Sequence, residues 1–268
     1  MALPSMSIPA ERRRRTHLEW VGDIVRYIVD TYDPLYVFLY GSVARGDWDE
    51  DSDIDLMVVD DSYDGRPKRL PSPHEPWLKD CPDLHIWTVG AHTFAIGCHV
   101  AGSFPYVVGL EGKEVYRRDA IGSIEQFGKD VTVKEIDDER NRKVSEWLEV
   151  AESDLSYAYL GIREGYGRQS VYMAQQAVEK AMKALLVHIG VSPPRTHNLG
   201  VLRAGLPREL QERLDLSMLD TIRPPLTDDI RYPGELPDWS LEQARMIVDL
   251  ASDVLRTIRE QMDWRISQ

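Results

Sequence analysis

The chain has 268 residues, 43% of them apolar and 29% charged, which excludes collagen-like, coiled-coil and disordered classes and suits one large or two ordinary domains. A formal net charge of −13 argues against a protein built to grip phosphate backbones, so nucleic acid is disfavoured as a partner. Apolar runs such as 56–59 and 184–187 are far too short to span a bilayer, the first residues lack a secretory leader's apolar stretch, and Cys81 and Cys98 form neither a disulfide framework nor a metal-ligand spacing. A cytoplasmic protein with reduced thiols and no membrane partner is expected.

Residues 1–10 read as loose, and the basic run Arg12 to Arg15 reads as a solvated helix end. From Glu11 to Asp30, Leu18, Val21, Ile24, Val25 and Ile28 recur at helical spacing, and Asp33-Pro34 stops the helix. Leu35 to Tyr40 reads as a buried strand, Gly41 to Asp51 as a loop with one helical turn, and Asp53 to Val59 and Leu84 to Val89 as two more strands. Residues 60–82, rich in proline, read as a long loop, 91–98 as a short helix, and Val107 to Arg117 as two strand pieces around a turn at Glu111-Gly112-Lys113. Gly122 to Asp138 reads as a weakly structured connection. After it strand patterns vanish, and helices are expected over Asn141 to Glu164, Gln169 to Ile189, Pro207 to Ile222 and Ser240 to Met262. The expected architecture is an α+β first domain over 11–120, a mixed sheet flanked by helices, followed by an all-α bundle over 139–268.

The most informative stretch is Leu39-Tyr40-Gly41-Ser42-Val43-Ala44-Arg45-Gly46 followed by Ser52-Asp53-Ile54-Asp55-Leu56. Strand alternation puts Asp53 and Asp55 on one side and Ile54 and Leu56 on the other. Two adjacent carboxylates repel unless a cation lies between them, and Mg²⁺ is a hard ion that takes carboxylate and phosphate oxygens. Gly41, directly after a strand, lets backbone approach a phosphate, and Ser42 adds a hydroxyl donor. One element thus holds cations and the other the phosphates that cations bridge, as phosphoryl or nucleotidyl transfer requires. Asp83 opens the next strand and is the candidate third metal ligand or general base, with His85 on the same face as its rival. A calcium loop opening at Asp51 is rejected, since its sixth and twelfth positions are Leu56 and Ser62 rather than Gly and Glu.

This stretch resembles the nucleotidyltransferase fold of the DNA polymerase β superfamily, especially its minimal nucleotidyltransferase branch, over about residues 15–118. The resemblance implies that Gly41 and Ser42 bind the β/γ-phosphates of an NTP, that Asp53 and Asp55 bind two catalytic Mg²⁺ ions, and that Asp83 is the third carboxylate. Arg45 belongs to the same pattern, as a phosphate contact or a structural ion pair.

In the second half, Tyr172-x-x-Gln175-Gln176-Ala177-Val178-Glu179-Lys180-Ala181-x-Lys183-Ala184-Leu185-Leu186, then Pro194-Arg195-Thr196-His197-Asn198-Leu199 and Arg231-Tyr232-Pro233, resemble a HEPN domain over about residues 139–265. Some HEPN domains resemble ribonucleases that use Arg and His four to six residues apart. Neither His188 nor His197 has an arginine at that distance upstream, so a nuclease is disfavoured. Glu179 and Lys183 are spaced for an intrahelical ion pair of ~0.3–0.5 kcal/mol. The functional alternative has Glu179, Lys180, Lys183, Arg195, His197 and Arg231 lining a cleft for acceptor or nucleotide. His197 is otherwise expected to cap or orient the next helix. Trp48 is expected to pack at the rim of the loop, or to stack on a base. Trp147, Trp239, Tyr157, Tyr159, Tyr166 and Tyr172 are expected in the bundle core or on a homodimer face.

The combined expectation is an Mg²⁺-dependent transferase moving an NMP from an NTP, ATP for preference, to a hydroxyl of a small molecule or protein. Its rivals are a HEPN-type ribonuclease fused to its antitoxin and a non-catalytic nucleotide-binding protein.

Overall fold

The computed structural model describes residues 15–61, 75–119, 121–123, 130–219 and 239–266, with side chains to Met262 in the last segment. The chain divides into two compact units, Met1–Phe94 with Val108–Phe127, and Ala95–Val107 with Gly128–Gln268.

The first unit opens with α1 (His17–Tyr32). Thr16 caps it by accepting from the Glu19 amide while Glu19 reaches back to the Thr16 amide, which satisfies two orphan donors of the first turn. Of the apolar stripe read in the sequence, Val21, Ile24, Val25 and Ile28 are buried and Trp20 joins them, whereas Leu18 is exposed. Asp33 ends the helix in the left-handed region at φ 45°, with its amide donating to Val29 O at 3.0 Å.

Strand β1 (Tyr36–Tyr40) is buried throughout. The short α2 (Gly41–Arg45) follows without an intervening residue and leads through a loop to β2 (Ile54–Asp60). Beyond a single 3-10 turn at Pro76–Leu78 come β3 (Leu84–Gly90), α3 (Ala91–Gly97), α4 (Phe104–Glu111) and β4 (Lys113–Arg117). The sheet order is β3-β2-β1-β4, with β1 antiparallel to both β2 and β4, and β2 parallel to β3. The mixed sheet expected from sequence is therefore present.

Alternation divides the sheet into two faces. Val37, Leu39, Ile54, Leu56 and Val58 form one core with the α1 stripe. Phe38 lies on the other face, its ring stacked on Tyr36 at 5.7 Å and on Phe94 of α3 at 5.4 Å. Because Tyr40 pairs with Asp55 and Phe38 with Met57, Asp55 shares this second face. The fold thus buries Ile54 and Leu56 under α1 and turns the intervening carboxylate the other way.

Two expectations fail here. Val107 to Glu111 is helical, not strand; its β-branched pair invites a strand reading, yet Val108 is fully buried within α4 and Gly112 carries the turn into β4. The connection read as weakly structured contains the start of α5 (Val133–Arg163), capped by Thr132 and Glu135 in the same reciprocal way as α1.

The second unit is helical: α5, α6 (Gly167–His188), α7 (Leu199–Ala204), α8 (Arg208–Arg213) and α9 (Leu241–Ile266). Helix α6 carries most of the core, and alanines at 151, 158, 174, 177, 181, 184, 244 and 251 are all fully buried, so helices approach closely. The helix expected over Pro207 to Ile222 is shorter, ending at Arg213, with turns through Leu219 whose Leu214, Leu216 and Leu219 are buried in the bundle. Among the described residues, no helix is long and apolar enough to cross a membrane.

Candidate active site

The site begins with a backbone constraint. Gly41 has φ 73°, a region that L side chains rarely adopt, and is buried. A Cβ placed there would overlap Oδ2 of Asp55 and lie 3.3 Å from its Cγ. Glycine is thus required twice, for the turn from β1 into α2 and for the approach of that turn to a carboxylate. Ser42, next in α2, is half-buried.

The loop between α2 and β2 is held from several sides. Gly46, at φ 87°, ends α2 with its amide donating to Ser42 O at 2.9 Å. Asp49 Oδ1 accepts from Ser52 Oγ at 2.8 Å and from the Asp51 amide at 3.2 Å, while Ser52 Oγ accepts from the Asp49 amide at 2.9 Å. The Ser52 hydroxyl holds the Asp49 carboxyl below its ordinary range. His17 of α1 places Nε2 2.8 Å from Ser52 O and lays its ring 4.6 Å from that of Trp48. Trp48 therefore packs within the protein as a rim aromatic. His17 is an anchor whose sequence spacing showed only a chance Arg–His match to Arg12; its signal is a histidine among the buried positions of α1.

Asp53 sits at the end of this loop and Asp55 within β2, their side chains 43% and 22% exposed. In the parallel ladder Ile54 pairs with Leu84 and Asp55 with His85. His85 Nδ1 lies 3.3 Å from Asp55 Oδ1 and 3.6 Å from Asp53 Oδ2. Asp83 is one residue short of the paired stretch, exposed, with its carbonyl accepting from the Ile54 amide at 2.8 Å. The structure thus brings Gly41, Asp53, Asp55 and His85 together and sets Asp83 just ahead of β3. Arg45 points its guanidinium to Asp47 at 3.3 Å and to Glu111 at 3.6 Å.

Among the described residues, no group of three His, Cys, Asp or Glu side chains is placed to hold a metal ion. The donor chemistry suits a divalent ion: the carboxylates of Asp53 and Asp55 both approach His85, and that of Asp55 fills the space a Cβ at Gly41 would take.

In the helical unit, Glu179 is buried, its side chain 4% exposed. Lys183 Nζ donates to it at 2.8 Å, His197 Nδ1 lies 3.0 Å from Oε1, and Gln175 Nε2, 3.5 Å from Oε2, also donates to His197 O at 3.2 Å. The intrahelical pair with Lys183 that the spacing suggested is therefore present, and it is buried. Asn198 rather than His197 caps α7, its side chain accepting from the Val201 amide at 3.1 Å. Lys180 instead pairs with Asp154 of α5. Tyr159 bonds Asp249 of α9 at 3.1 Å, whereas Tyr157 and Tyr166 are exposed. Arg195 lies in the loop before α7, and Arg231 lies outside the described residues.

A mixed sheet whose first hairpin carries Gly-Ser at one strand end and Asp-x-Asp at the start of the next, followed by a helical bundle, defines a nucleotidyltransferase-class chain with an added all-α domain. Residues 22–162 match the family described as Nucleotidyltransferase domain and residues 144–261 that described as HEPN domain. The chain belongs to the nucleotidyltransferase domain family. A comparison with curated proteins finds no match. Among solved structures, an archaeal HEPN homologue is 25% identical, covering 45% of this chain and 98% of its own at a TM-score of 0.37. A nucleotidyltransferase-like protein from Exiguobacterium sibiricum 255-15 is 10% identical, covering 90% and 74% at 0.49. A spectinomycin adenyltransferase from Enterococcus faecialis, solved with ATP and spectinomycin, is 11% identical, covering 90% and 98% at 0.39.

Proposed function

We propose that this protein transfers an NMP from an NTP, ATP for preference, to a hydroxyl of a small-molecule or protein acceptor, in the cytoplasm. The observation that carries the reading is the packing of Gly41 against Asp55, which sets the Gly-Ser turn directly beside the acidic strand. Family membership supports transfer of this kind.

In this reading the NTP lies with its β/γ-phosphates against Gly41 and Ser42, where the missing Cβ gives backbone amides close approach. Asp53 and Asp55 hold the divalent ions, Mg²⁺ in the simplest case. Bound there, such ions neutralise phosphate charge and favour the ionised acceptor oxygen. Asp83, ahead of β3, takes the proton of the acceptor hydroxyl as general base. The acceptor oxygen forms a bond to the α-phosphorus, the bond from that phosphorus to the β-phosphate oxygen breaks, and pyrophosphate leaves. Positioning supplies much of the rate: α1, through His17 and the Ser52 carbonyl, fixes the loop that ends at Asp53.

The test is to incubate the full chain with a divalent ion and each α-labelled NTP, alone and with cell lysate, and to weigh the labelled product. One added NMP with stoichiometric pyrophosphate supports the proposal. NTP binding with neither product overturns it in favour of a non-catalytic binder, and metal-independent RNA cleavage would favour the ribonuclease.

A further inference from the structure

We propose that the outer edge of β3 receives an extended peptide as an added strand, and that this peptide carries the hydroxyl that accepts the NMP. This rests on the transferase reading above and narrows its acceptor to protein.

The two edges of the sheet differ in chemistry. Among the described residues, β3 pairs with β2 alone and β4 with β1 alone. An open edge invites pairing with another chain, and folds blunt such edges with charged side chains and bulges. Strand β4 has both devices: Lys113, Glu114 and Arg117, and a register shift opposite Val37 and Phe38. Strand β3 has neither. It reads Leu-His-Ile-Trp-Thr-Val-Gly, without lysine, arginine, acid or proline, and keeps seven successive pairs with β2 in one register. No residue of β3 is buried, and Trp87 is 59% exposed.

The backbone supplies the donors and acceptors for a further strand. The Asp83 carbonyl accepts from the Ile54 amide at 2.8 Å, which sets the phase of the parallel ladder. His85, Trp87 and Val89 therefore turn their main-chain groups to β2, and Leu84, Ile86 and Thr88 turn theirs to the outer edge. A strand laid there gains main-chain hydrogen bonds, the usual source of affinity when a peptide adds to a sheet.

Position links this edge to the reaction. His85 pairs with Asp55, beside the turn at Gly41. Neighbouring strands stand about 4.8 Å apart, so a residue opposite His85 on an added strand lies roughly 10 Å from Asp55. Alternation sends its side chain to the face shared by Asp55, His85 and Trp87. The residues on either side of it turn to the face of Leu84 and Ile86, which pack against the α1 core. The segment that fits an uncharged strand of this kind alternates hydroxyl with apolar side chains. The transfer itself is unchanged: the peptide hydroxyl loses its proton and bonds the α-phosphorus as pyrophosphate leaves.

Amide hydrogen exchange of the full chain, read by NMR without nucleotide, tests the docking edge independently of activity. The probe is a capped peptide of alternating valine and threonine flanked by lysines. In the free chain the amides of Leu84, Ile86 and Thr88 should exchange at least about tenfold faster than those of His85, Trp87 and Val89. The peptide should slow the first three, and an analogue with every backbone nitrogen methylated should not. Outer amides as slow as the inner ones in the free chain, no slowing by the peptide, or equal slowing by the methylated analogue each overturns the proposal. Substrate class is read from the labelled lysate: NMP on protein supports a peptide acceptor, and NMP on small molecules alone overturns it. Absence of any labelled product overturns the transferase reading instead, and the exchange rates then decide the docking edge by themselves.

Discussion

Gly41 and Asp55 touch across the end of the β1–β2 hairpin, so closely that a methyl group on residue 41 would occupy the position of the Asp55 carboxylate. The contact joins the turn after β1 to the acidic strand, and neither half can change without moving the other.

Gly41→Ala tests that contact. The substituted residue would be strained at φ 73° by about 1–2 kcal/mol, and its Cβ would displace Asp55. The expected outcome is a modest fall in the denaturation midpoint with loss of NMP transfer out of proportion to it. A variant as active as wild type would show that the Asp55 position is not critical.

The buried charge in the bundle makes a separate prediction. Glu179 balances Lys183, whose side chain is 12% exposed, and lies against the ring of the more exposed His197. Glu179→Ala strands Lys183 and should cost about 3–5 kcal/mol, whereas Glu179→Gln, which keeps the hydrogen bonds in part, should cost about 1–3 kcal/mol. Urea unfolding followed by helical circular dichroism measures both. Equal, near-zero losses would show that the network adds nothing to stability.

The thiols give a pH-dependent prediction. Burial pushes both Cys81 and Cys98 up to about 11, with Arg15 lowering and Asp83 raising Cys81 to smaller extents. At pH 8 about 0.1% of each is thiolate, against about a quarter for an ordinary exposed thiol. Iodoacetamide labelling of the folded chain should then be at least about tenfold slower than that of glutathione, and should accelerate with pH toward 11 and on unfolding. Because both folded values are raised, the thiols favour the folded state fully below the ordinary thiol range. That contribution is lost as pH climbs toward 11. Labelling at the glutathione rate would contradict the burial.

Local signals carried much of the fold. The apolar stripe of α1, the run before Gly41 and the alternation around Asp55 locate their elements, although α1 begins at His17 after its Thr16 cap rather than at Glu11, and β2 begins at Ile54 and leaves Asp53 in the loop. What failed depended on tertiary context or on an overlooked cap. Val107-Val108 has strand propensity but packs in a helix, and the Thr132-x-x-Glu135 box that starts α5 was hidden in a polar stretch. The partnership of His85 with Asp55 follows from strand register, which alternation within one strand does not specify. The roles of Arg45 and Glu179 likewise depended on partners distant in sequence, Glu111 and His197.

The most direct measurement compares NMP transfer by wild type, Asp53→Asn and Asp55→Asn, each shown by its melting curve to be folded. Each substitution removes one carboxylate charge and keeps the size of the side chain. The account predicts unfolding free energies within about 0.5 kcal/mol of wild type for the half-exposed Asp53. It also predicts that transfer falls about a thousandfold or more in both variants, the scale of losing several kcal/mol of charge stabilisation. Transfer at the wild-type rate by either folded variant would contradict it.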